Sequence, residues 1–207
     1  MYLPRHFEQP DPAALEKLMR EHPLAALVST GPDGLTADHI PLEYDAPSHT
    51  LRGHVARANP VWKVARGQPV LAVFQGPQAY VSPNWYPAKA ATHKVVPTWN
   101  YAVVHAHGAL AVTEDAPWLH ALVTRLTQHH ERDQPQPWAV ADAPEDYVQQ
   151  MLRAIVGIEI VVQRLVGKYK LHQNHPADNH AGVVQGLQGG NAAAQAVAAL
   201  MGKRQTD

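Results

Sequence analysis

The middle of the chain, between Leu51 and Gly108, contains Gly53-His54-Val55-Ala56-Arg57-Ala58-Asn59-Pro60, Gly76-Pro77-Gln78-Ala79-Tyr80-Val81-Ser82-Pro83-Asn84-Trp85-Tyr86-Pro87 and Val95-Val96-Pro97-Thr98-Trp99-Asn100-Tyr101. Each segment places Arg, Asn, Ser or Thr beside proline, glycine or aromatic residues, between runs that are typical of β-strands. A packing layer does not need this mixture. A binding cleft for a flat ligand with polar edges does, because such a ligand requires ring faces, fixed hydrogen-bonding groups and a positive charge for any phosphate.

The composition indicates one substantial folded domain without disulfides. The 207 residues are 45% hydrophobic, which is enough for a core and excludes wholesale disorder. The chain has no cysteine, so thiolate catalysis and cysteine zinc sites are excluded, and a cytoplasmic location is predicted. Lys and Arg number 17 against 18 Asp and Glu, which gives no broad basic surface for nucleic acid. No apolar run approaches the ~20 residues of a membrane helix.

The pattern of apolar residues predicts a first helix and then a series of antiparallel strands. Asp11-Pro12 is typical of a helix start, and Pro23 ends that helix. Gly31-Pro32-Asp33-Gly34 is typical of the turn of a hairpin. The predicted strands are Leu24–Ser29, Leu35–Tyr44, Thr50–Val55, Val70–Phe74, Gln78–Val81 around a turn at Gln75-Gly76-Pro77, Trp99–Thr113 and Ile155–Val166.

Further helices and loops complete an α+β fold. Asn59-Pro60 is typical of a helix start, and Asp115 is predicted to cap a helix that runs to Glu131. The remaining predicted segments are a proline-rich loop at Ser82–Thr98, a helix from Asp142-Ala143-Pro144-Glu145 to Ala154, and a short helix at Asn191–Met201 after Gly189-Gly190. The sum is a mostly antiparallel β core with helices packed around it.

A candidate phosphate site lies where Arg57 precedes the helix start at Asn59-Pro60. A helix N-terminus offers free backbone N–H groups and partial positive charge, and an arginine adds a bidentate phosphate donor. The alternative is a surface arginine beside an ordinary capped helix, which is a common arrangement.

A second candidate ligand contact lies where a loop enters the strand at Thr98-Trp99-Asn100-Tyr101. Side chains alternate along a strand, so Thr98 and Asn100 share one face and Trp99 and Tyr101 share the other. One face can then pack while the other presents a hydroxyl and an amide to a ligand. The alternative is an aromatic anchor beside a turn-forming asparagine.

The proline-rich loop and the end of the last strand supply further candidates. Ser82, Trp85 and Tyr86 lie in the loop, where the aromatic rings would cover a ring system, contact a dimer partner or hold the loop down. The polar cluster after the last strand would be a solvated strand end or would close an anionic site. It consists of Lys168, Lys170, His172, Gln173 and Asn174.

The sequence contains no recognisable catalytic motif, and the catalytic residues stay unassigned. His105 and His107 share a strand face, a spacing that can serve a metal, but no third ligand with suitable spacing follows, so no metal is predicted. Asp38 and His39 are neighbours in a strand and point to opposite faces, so they are interpreted as structural. No Gly-x-Ser-x-Gly, P-loop or Rossmann glycine pattern is present.

Taken together, these segments resemble the PaiB-type family of FMN-binding negative transcriptional regulators. The resemblance starts at Met1-Tyr2-Leu3-Pro4-Arg5-His6-Phe7, continues through Ala37-Asp38-His39-Ile40-Pro41-Leu42 and is strongest in the three middle segments. It closes with Asp142-Ala143-Pro144, Ile155-Val156-Gly157-Ile158-Glu159 and Gly167-Lys168-Tyr169-Lys170-Leu171-His172-Gln173-Asn174. In the last segment His172 stands where the family pattern leads us to expect a small hydroxyl residue.

The resemblance implies an antiparallel split β-barrel related to pyridoxamine-phosphate-oxidase-like proteins, with peripheral helices. It implies a homodimer that binds FMN near the subunit interface. We expect Arg57 and the amides near Asn59 to bind the phosphate, Thr98 and Asn100 to bind ribityl or ring-edge atoms, and Trp85 or Trp99 to flank the ring. Ser82 would be a further cofactor contact, and Lys168 and Gln173 would complete the site. Residues 1–187 would form this domain, followed by an alanine-rich tail at 188–207.

Two functions remain open at this point. The family label implies a transcriptional regulator that acts through DNA or a protein partner, with any flavin as an effector, although no basic recognition helix is evident. The alternative is a flavin-dependent oxidoreductase that acts on a small substrate.

Overall fold

The computed structural model describes residues 1–203 and confirms an α+β fold. The strands are β1 (Glu8–Gln9), β2 (Leu24–Gly31), β3 (Gly34–Pro41), β4 (Glu43–Asp45), β5 (Thr50–Ala56), β6 (Pro69–Val81), β7 (Thr98–Thr113) and β8 (Ile155–Lys170). The helices are α1 (Pro12–Glu21), α2 (Val61–Val64), α3 (Ala88–Thr92), α4 (Ala116–Glu131), α5 (Glu145–Arg153), α6 (Ala177–Gln188) and α7 (Ala192–Lys203).

The eight strands form an antiparallel sheet. Their order is β3-β2-β6-β7-β8-β5-β4, and β1 pairs with β8. The chain divides into two compact units, of which unit 1 comprises Met1–Leu18, Gln75–Val104 and the described residues from Val166 onward. Unit 2 comprises Met19–Phe74 and His105–Leu165.

Unit 2 is built on the predicted hairpin of β2 and β3 and on the pairing of β5 with β8. Arg52 of β5 lies opposite Glu159 of β8, and its Nε donates to the Glu159 carboxylate at 2.9 Å. Apolar side chains such as Leu51 and Ile160 are fully buried and form the core. Helix α4 begins as predicted, because the Asp115 carboxylate accepts from the backbone N–H of Trp118 at 2.9 Å.

Unit 1 contains α3, α6, α7 and a short 3-10 turn at Pro83–Trp85. Helix α6 packs closely against this turn. A Cβ atom on Gly186 would lie 2.3 Å from the Trp85 ring, and one on Gly182 would lie 2.2 Å from the Trp85 carbonyl oxygen. The two glycines therefore allow the indole to lie directly on the helix backbone.

Two sequence predictions about unit 1 need correction, and one helix was missed. The predicted turn at Gln75-Gly76-Pro77 is part of the continuous strand β6, in which a Cβ on Gly76 would meet the carbonyl oxygen of Ala102 at 3.0 Å. Gly76 thus marks a close approach of two strands. The predicted loop at Ser82–Thr98 contains the 3-10 turn and α3, and α6 was not predicted at all.

Candidate functional site

Unit 1 contains a cavity of about 370 Å³, called the unit 1 cavity below. The segment between α3 and β7, the end of β8 and the start of α6 supply most of its wall. Its lining residues are Phe7, Tyr86, Ala88, Lys94, Val95, Val96, Pro97, Thr98, Lys170, His172, Asn174, His175 and Asn179. A volume in the range of about 300–1,000 Å³ is typical of small-molecule and cofactor sites.

The charged side chains that line the unit 1 cavity are basic. Lys94 and Lys170 supply two ammonium groups, and no aspartate or glutamate is among the lining residues of this cavity. The Lys170 Nζ donates to the Thr98 hydroxyl, which fixes that lysine at the wall. The cavity therefore attracts anions.

A hydrogen-bonded chain runs from the cavity wall into the core of unit 1. The Tyr86 hydroxyl lies 2.6 Å from His172 Nε2, and His172 Nδ1 lies 2.8 Å from Asn100 Oδ1. The Asn100 amide nitrogen donates to the thioether of Met201 in α7 at 3.3 Å. Asn100 and Met201 are fully buried, and only 3% of His172 is exposed.

Burial sets the protonation states of His172 and Tyr86. Burial, together with the positive charges of His175, His180 and Lys170, lowers the pKa of His172 to about 4. The imidazole is therefore neutral at pH 7. Burial also raises the pKa of the Tyr86 hydroxyl, so the phenol keeps its proton.

Two rings of this hydrogen-bonded chain, Tyr86 and His172, stack on each other and on His175. The ring centroids of Tyr86 and His172 are 5.6 Å apart, those of Tyr86 and His175 are 5.7 Å apart, and those of the two histidines are 4.4 Å apart. The backbone of His172 has a φ of 66°, in the left-handed region. This turn directly follows β8 and brings the imidazole against Tyr86.

Of the residues predicted for the strand entry, Thr98 lines the unit 1 cavity and Asn100 lies behind it as the partner of His172. Trp99 lies on the opposite face of the strand. It is 54% exposed and meets the Tyr80 ring edge to face at 6.0 Å.

Ser82 and Trp85, the predicted cofactor contacts in the proline-rich loop, have structural partners. The Ser82 hydroxyl accepts from the backbone N–H of Asn84 at 3.2 Å and caps the 3-10 turn. Trp85 packs on Gly182 and Gly186, as described above, and also lines a second cavity of about 640 Å³ with Lys89.

Of the two residues predicted to complete the site, Lys168 lies in β8 and Gln173 lies just after it, and both have contacts of their own. Lys168 is 8% exposed, donates to the carbonyl oxygen of Tyr2 at 3.0 Å and lies 5.5 Å from the centroid of the Tyr101 ring. The Gln173 side chain accepts from the Leu171 N–H at 2.7 Å and donates to the Tyr169 carbonyl. Neither residue is among those that line the unit 1 cavity.

The residues predicted to bind phosphate lie in unit 2. The guanidinium of Arg57 donates to the carbonyl oxygens of Arg153 at 2.7 Å and Ile155 at 3.1 Å, and it pairs with Glu114. Three of its N–H groups are thus engaged, which leaves two of the five that an arginine has.

Asn59 has the capping role that the sequence predicts. Its Oδ1 accepts from the Val61 N–H at 2.8 Å at the start of α2, which is one turn long. Its Nδ2 donates to Asp38 Oδ1 at 2.7 Å.

His105 and His107 form a histidine pair on one face of β7. The rings of His105 and His107 are 6.3 Å apart, and burial lowers the pKa of both. Within residues 1–203 no group of three or more histidine, aspartate or glutamate side chains is arranged to hold a metal ion.

The sequence did not predict Lys94, His175 and Asn179 as cavity residues. Nor did it predict the hydrogen bond between Tyr86 and His172. Asn179 lies in α6, which the sequence pattern did not reveal. Tyr86 and His172 are 86 residues apart, so only the fold shows their contact. The departure of His172 from the family pattern was the one signal that this position is special.

The fold is a split barrel, which flavin-binding proteins of known structure also have. The flavocytochrome Anf3 from Azotobacter vinelandii matches with a TM-score of 0.60 at 10% identity, over 81% of this chain and 72% of that chain. The FAD and heme binding protein from Mycobacterium smegmatis matches with a TM-score of 0.61 at 14% identity, over 89% and 80%. At these identities the likeness shows the fold alone.

The chain belongs to the family described as "Putative FMN-binding domain", which matches residues 1–164. It is 31% identical to the protease synthase and sporulation protein PAI 2 of Bacillus subtilis over 192 residues, which cover 91% of this chain and 89% of the relative. The resemblance to the PaiB-type family is confirmed, and FMN is the cofactor of this family. The match ends before Lys170, so the segment that closes the unit 1 cavity lies beyond it.

Proposed function

We propose that this protein is an FMN-binding transcriptional regulator of the PaiB type that represses its targets and works as a homodimer. The unit 1 cavity carries the cofactor part of the proposal, because it is basic, polar-edged and bordered by stacked rings. The printed name of the Bacillus subtilis relative, which refers to protease synthesis and sporulation, supports the regulatory part.

The chemistry of the unit 1 cavity fits FMN. Lys94, Lys170 and the Thr98 hydroxyl would hold the phosphate, and the rings of Tyr86 and His175 would contact the flat part of the cofactor. Asn100 acts indirectly in this proposal, by orienting His172. When bound, FMN supplies one-electron and two-electron redox chemistry.

Other predicted contacts remain part of the proposal, with roles that follow from their surroundings. Trp85, Ser82, Lys168 and Gln173 shape unit 1 around the cavity, through the contacts described above. Arg57 and Asn59 are an alternative phosphate site to Lys94 and Lys170, and a contact there would use the free N–H groups of Arg57 and the amides at the start of α2.

An exposed apolar patch in unit 1 supports the homodimer. Trp99 is 54% exposed and Tyr80 is 48% exposed, and their ring centroids are 6.0 Å apart. Large apolar side chains that are grouped at a surface are typical of an interaction site, and symmetric dimers are the commonest soluble oligomers. We propose that a second copy of the chain covers Trp99.

A titration of flavin-free protein with FMN, followed by flavin fluorescence, tests the cofactor assignment, and the mass in solution tests the dimer. We expect saturable binding at micromolar concentrations to a species of twice the chain mass. Protein that is folded by circular dichroism but binds no FMN would overturn the assignment, and a monomer at all concentrations would overturn the dimer.

The regulatory role is tested by binding to promoter DNA. The formal net charge is −1, and sequence-specific binding should survive ~0.2 M salt, whereas purely electrostatic binding fades steeply there. Loss of all binding at that salt concentration would favour a protein partner over DNA as the target.

The predicted cytoplasmic location stays a prediction. No helix in residues 1–203 is both long and apolar enough to cross a membrane.

The hydrogen-bonded pair of Tyr86 and His172 favours a second candidate function, a flavin-dependent oxidoreductase with a small substrate. A phenol held by an imidazole at a cavity wall can orient a substrate. Bleaching of bound FMN by NADH or NADPH would support this function, and flavin that stays oxidised with both donors would contradict it.

A further inference from the structure

The side-chain amide of Asn100 fixes the tautomer of His172. Its nitrogen faces the Met201 sulfur at 3.3 Å and its oxygen faces His172 Nδ1 at 2.8 Å. The reverse orientation would place the amide oxygen against a thioether, which has no proton to donate. An amide oxygen can only accept, so the hydrogen on His172 is on Nδ1.

The tautomer of His172 in turn fixes the hydroxyl of Tyr86. A neutral imidazole that donates from Nδ1 can only accept at Nε2. The Tyr86 oxygen lies 2.6 Å from Nε2, so the phenol must donate its single proton there. Towards a ligand, the Tyr86 hydroxyl can therefore only accept a hydrogen bond.

At Lys94, Lys170 and Thr98 the polarity is opposite. Lys94 and Lys170 are cations that can only donate. The Thr98 oxygen accepts from Lys170, which leaves the Thr98 hydroxyl proton free to donate. The unit 1 cavity therefore presents donors at Lys170 and Thr98 and an acceptor at Tyr86.

We propose that the unit 1 cavity selects anions that also carry a hydrogen-bond donor, with the anionic group at Lys94 and Lys170 and the donor at Tyr86. His172 is the positioning residue that makes Tyr86 an acceptor. This inference rests on the proposed function, because FMN belongs to that class: it has a phosphate, ribityl hydroxyls and a ring N–H. Other anions that carry an O–H or N–H group belong to the same class.

The tautomer is tested directly by the ¹⁵N shifts of the two imidazole nitrogens of His172 at pH 7, read by long-range ¹H–¹⁵N correlation. We expect a protonated Nδ1 and an unprotonated Nε2 in the wild type. In Asn100→Leu we expect this preference to weaken. An unprotonated Nδ1 in the wild type would overturn the inference.

Selection is tested with two probes of similar length, ribitol 5-phosphate and pentyl phosphate, of which only the first carries chain hydroxyls. We expect the affinity for ribitol 5-phosphate, divided by that for pentyl phosphate, to fall about 3- to 10-fold in Tyr86→Phe, which corresponds to the loss of one hydrogen bond. His172→Leu should lower the ratio too, because it frees the Tyr86 proton. Tyr169→Phe is the matched control, since its hydroxyl donates to the Ala14 carbonyl and Tyr169 is not among the cavity-lining residues.

The outcomes separate this inference from the proposed function. A wild type that distinguishes the two phosphates but binds no FMN would contradict the cofactor assignment and support the selection. A ratio that stays unchanged in folded Tyr86→Phe and His172→Leu proteins would overturn the selection even if FMN binds. Riboflavin and FMN affinities that stay at the wild-type values in both Tyr86→Phe and His172→Leu would overturn it as well.

Discussion

The imidazole of His172 is held 2.6 Å from the Tyr86 hydroxyl at a position that is almost closed to solvent. Because burial lowers the pKa of His172 from 6.5 to about 4, the unfolded chain binds a proton at a higher pH than the folded chain does. The contribution of the neutral ring to stability is thus complete above pH 6.5 and is lost as the pH falls towards 4.

We therefore predict that the wild type loses on the order of 2 kcal/mol of unfolding free energy between pH 7 and pH 4.5 through this residue. His172→Gln should lose less over the same interval. Urea unfolding at a series of pH values measures the difference, with His120→Gln on the exposed face of α4 as the control. A pH dependence that is identical in His172→Gln and the wild type would contradict the prediction.

The packing of Trp85 on α6 predicts opposite effects of two glycine-to-alanine changes. Gly186→Ala should destabilise the protein by about 1–3 kcal/mol, because the new methyl group would lie 2.3 Å from the indole. Gly202→Ala meets nothing within 4 Å in α7 and should be neutral or stabilising by up to about 1 kcal/mol. Thermal unfolding compares the two, and equal effects would show that the indole does not require Gly186.

In the proposed site, Lys170 would distinguish FMN from riboflavin, which lacks the phosphate. We predict that Lys170→Met weakens FMN binding about 10-fold or more and leaves riboflavin binding within about 2-fold, because a charge-assisted bond to phosphate contributes about 1.5–3 kcal/mol. Fluorescence titrations with both flavins measure this ratio. An equal loss for both flavins would assign Lys170 a structural role through Thr98.

Arg57→Lys separates a structural role from the phosphate role. Lysine keeps the charge but cannot reach the carbonyl oxygens of Arg153 and Ile155 together, so we expect a loss of about 1–2 kcal/mol in stability. The proposed phosphate role requires, in addition, a fall in FMN affinity that riboflavin does not share. A variant that is less stable but keeps the wild-type ratio of flavin affinities would leave Arg57 with its structural role alone.

Much of the fold was predictable from local signals. Asp115, Asn59 and the turn at Gly31-Pro32-Asp33-Gly34 act through neighbours in the sequence, and the structure confirms the capping contacts and the hairpin. The continuity of β6 was not predictable, because Gly76 and Pro77 are typical of turns. In the folded chain Gly76 is required by the neighbouring strand instead.

The site was less predictable, because its contacts join distant segments. Helix α6 contains two glycines that weaken the helical pattern, and their reason is the indole of Trp85. Lys170 and Thr98 were both noted in the sequence, but their hydrogen bond spans 72 residues. A pattern of residue types can suggest a phosphate or a ring, whereas the direction of each hydrogen bond depends on the partner.

The contacts of Asn100 restrict the substitutions that this protein can tolerate. Its oxygen and its nitrogen are both engaged by side chains from other elements, His172 and Met201, in a region without solvent. Replacement of any one of these three residues would leave a buried polar group without a hydrogen-bond partner. A substitution at one position should therefore be tolerated only with compensating substitutions at the others. We expect homologues with a small hydroxyl residue at the His172 position to differ at the Met201 position as well.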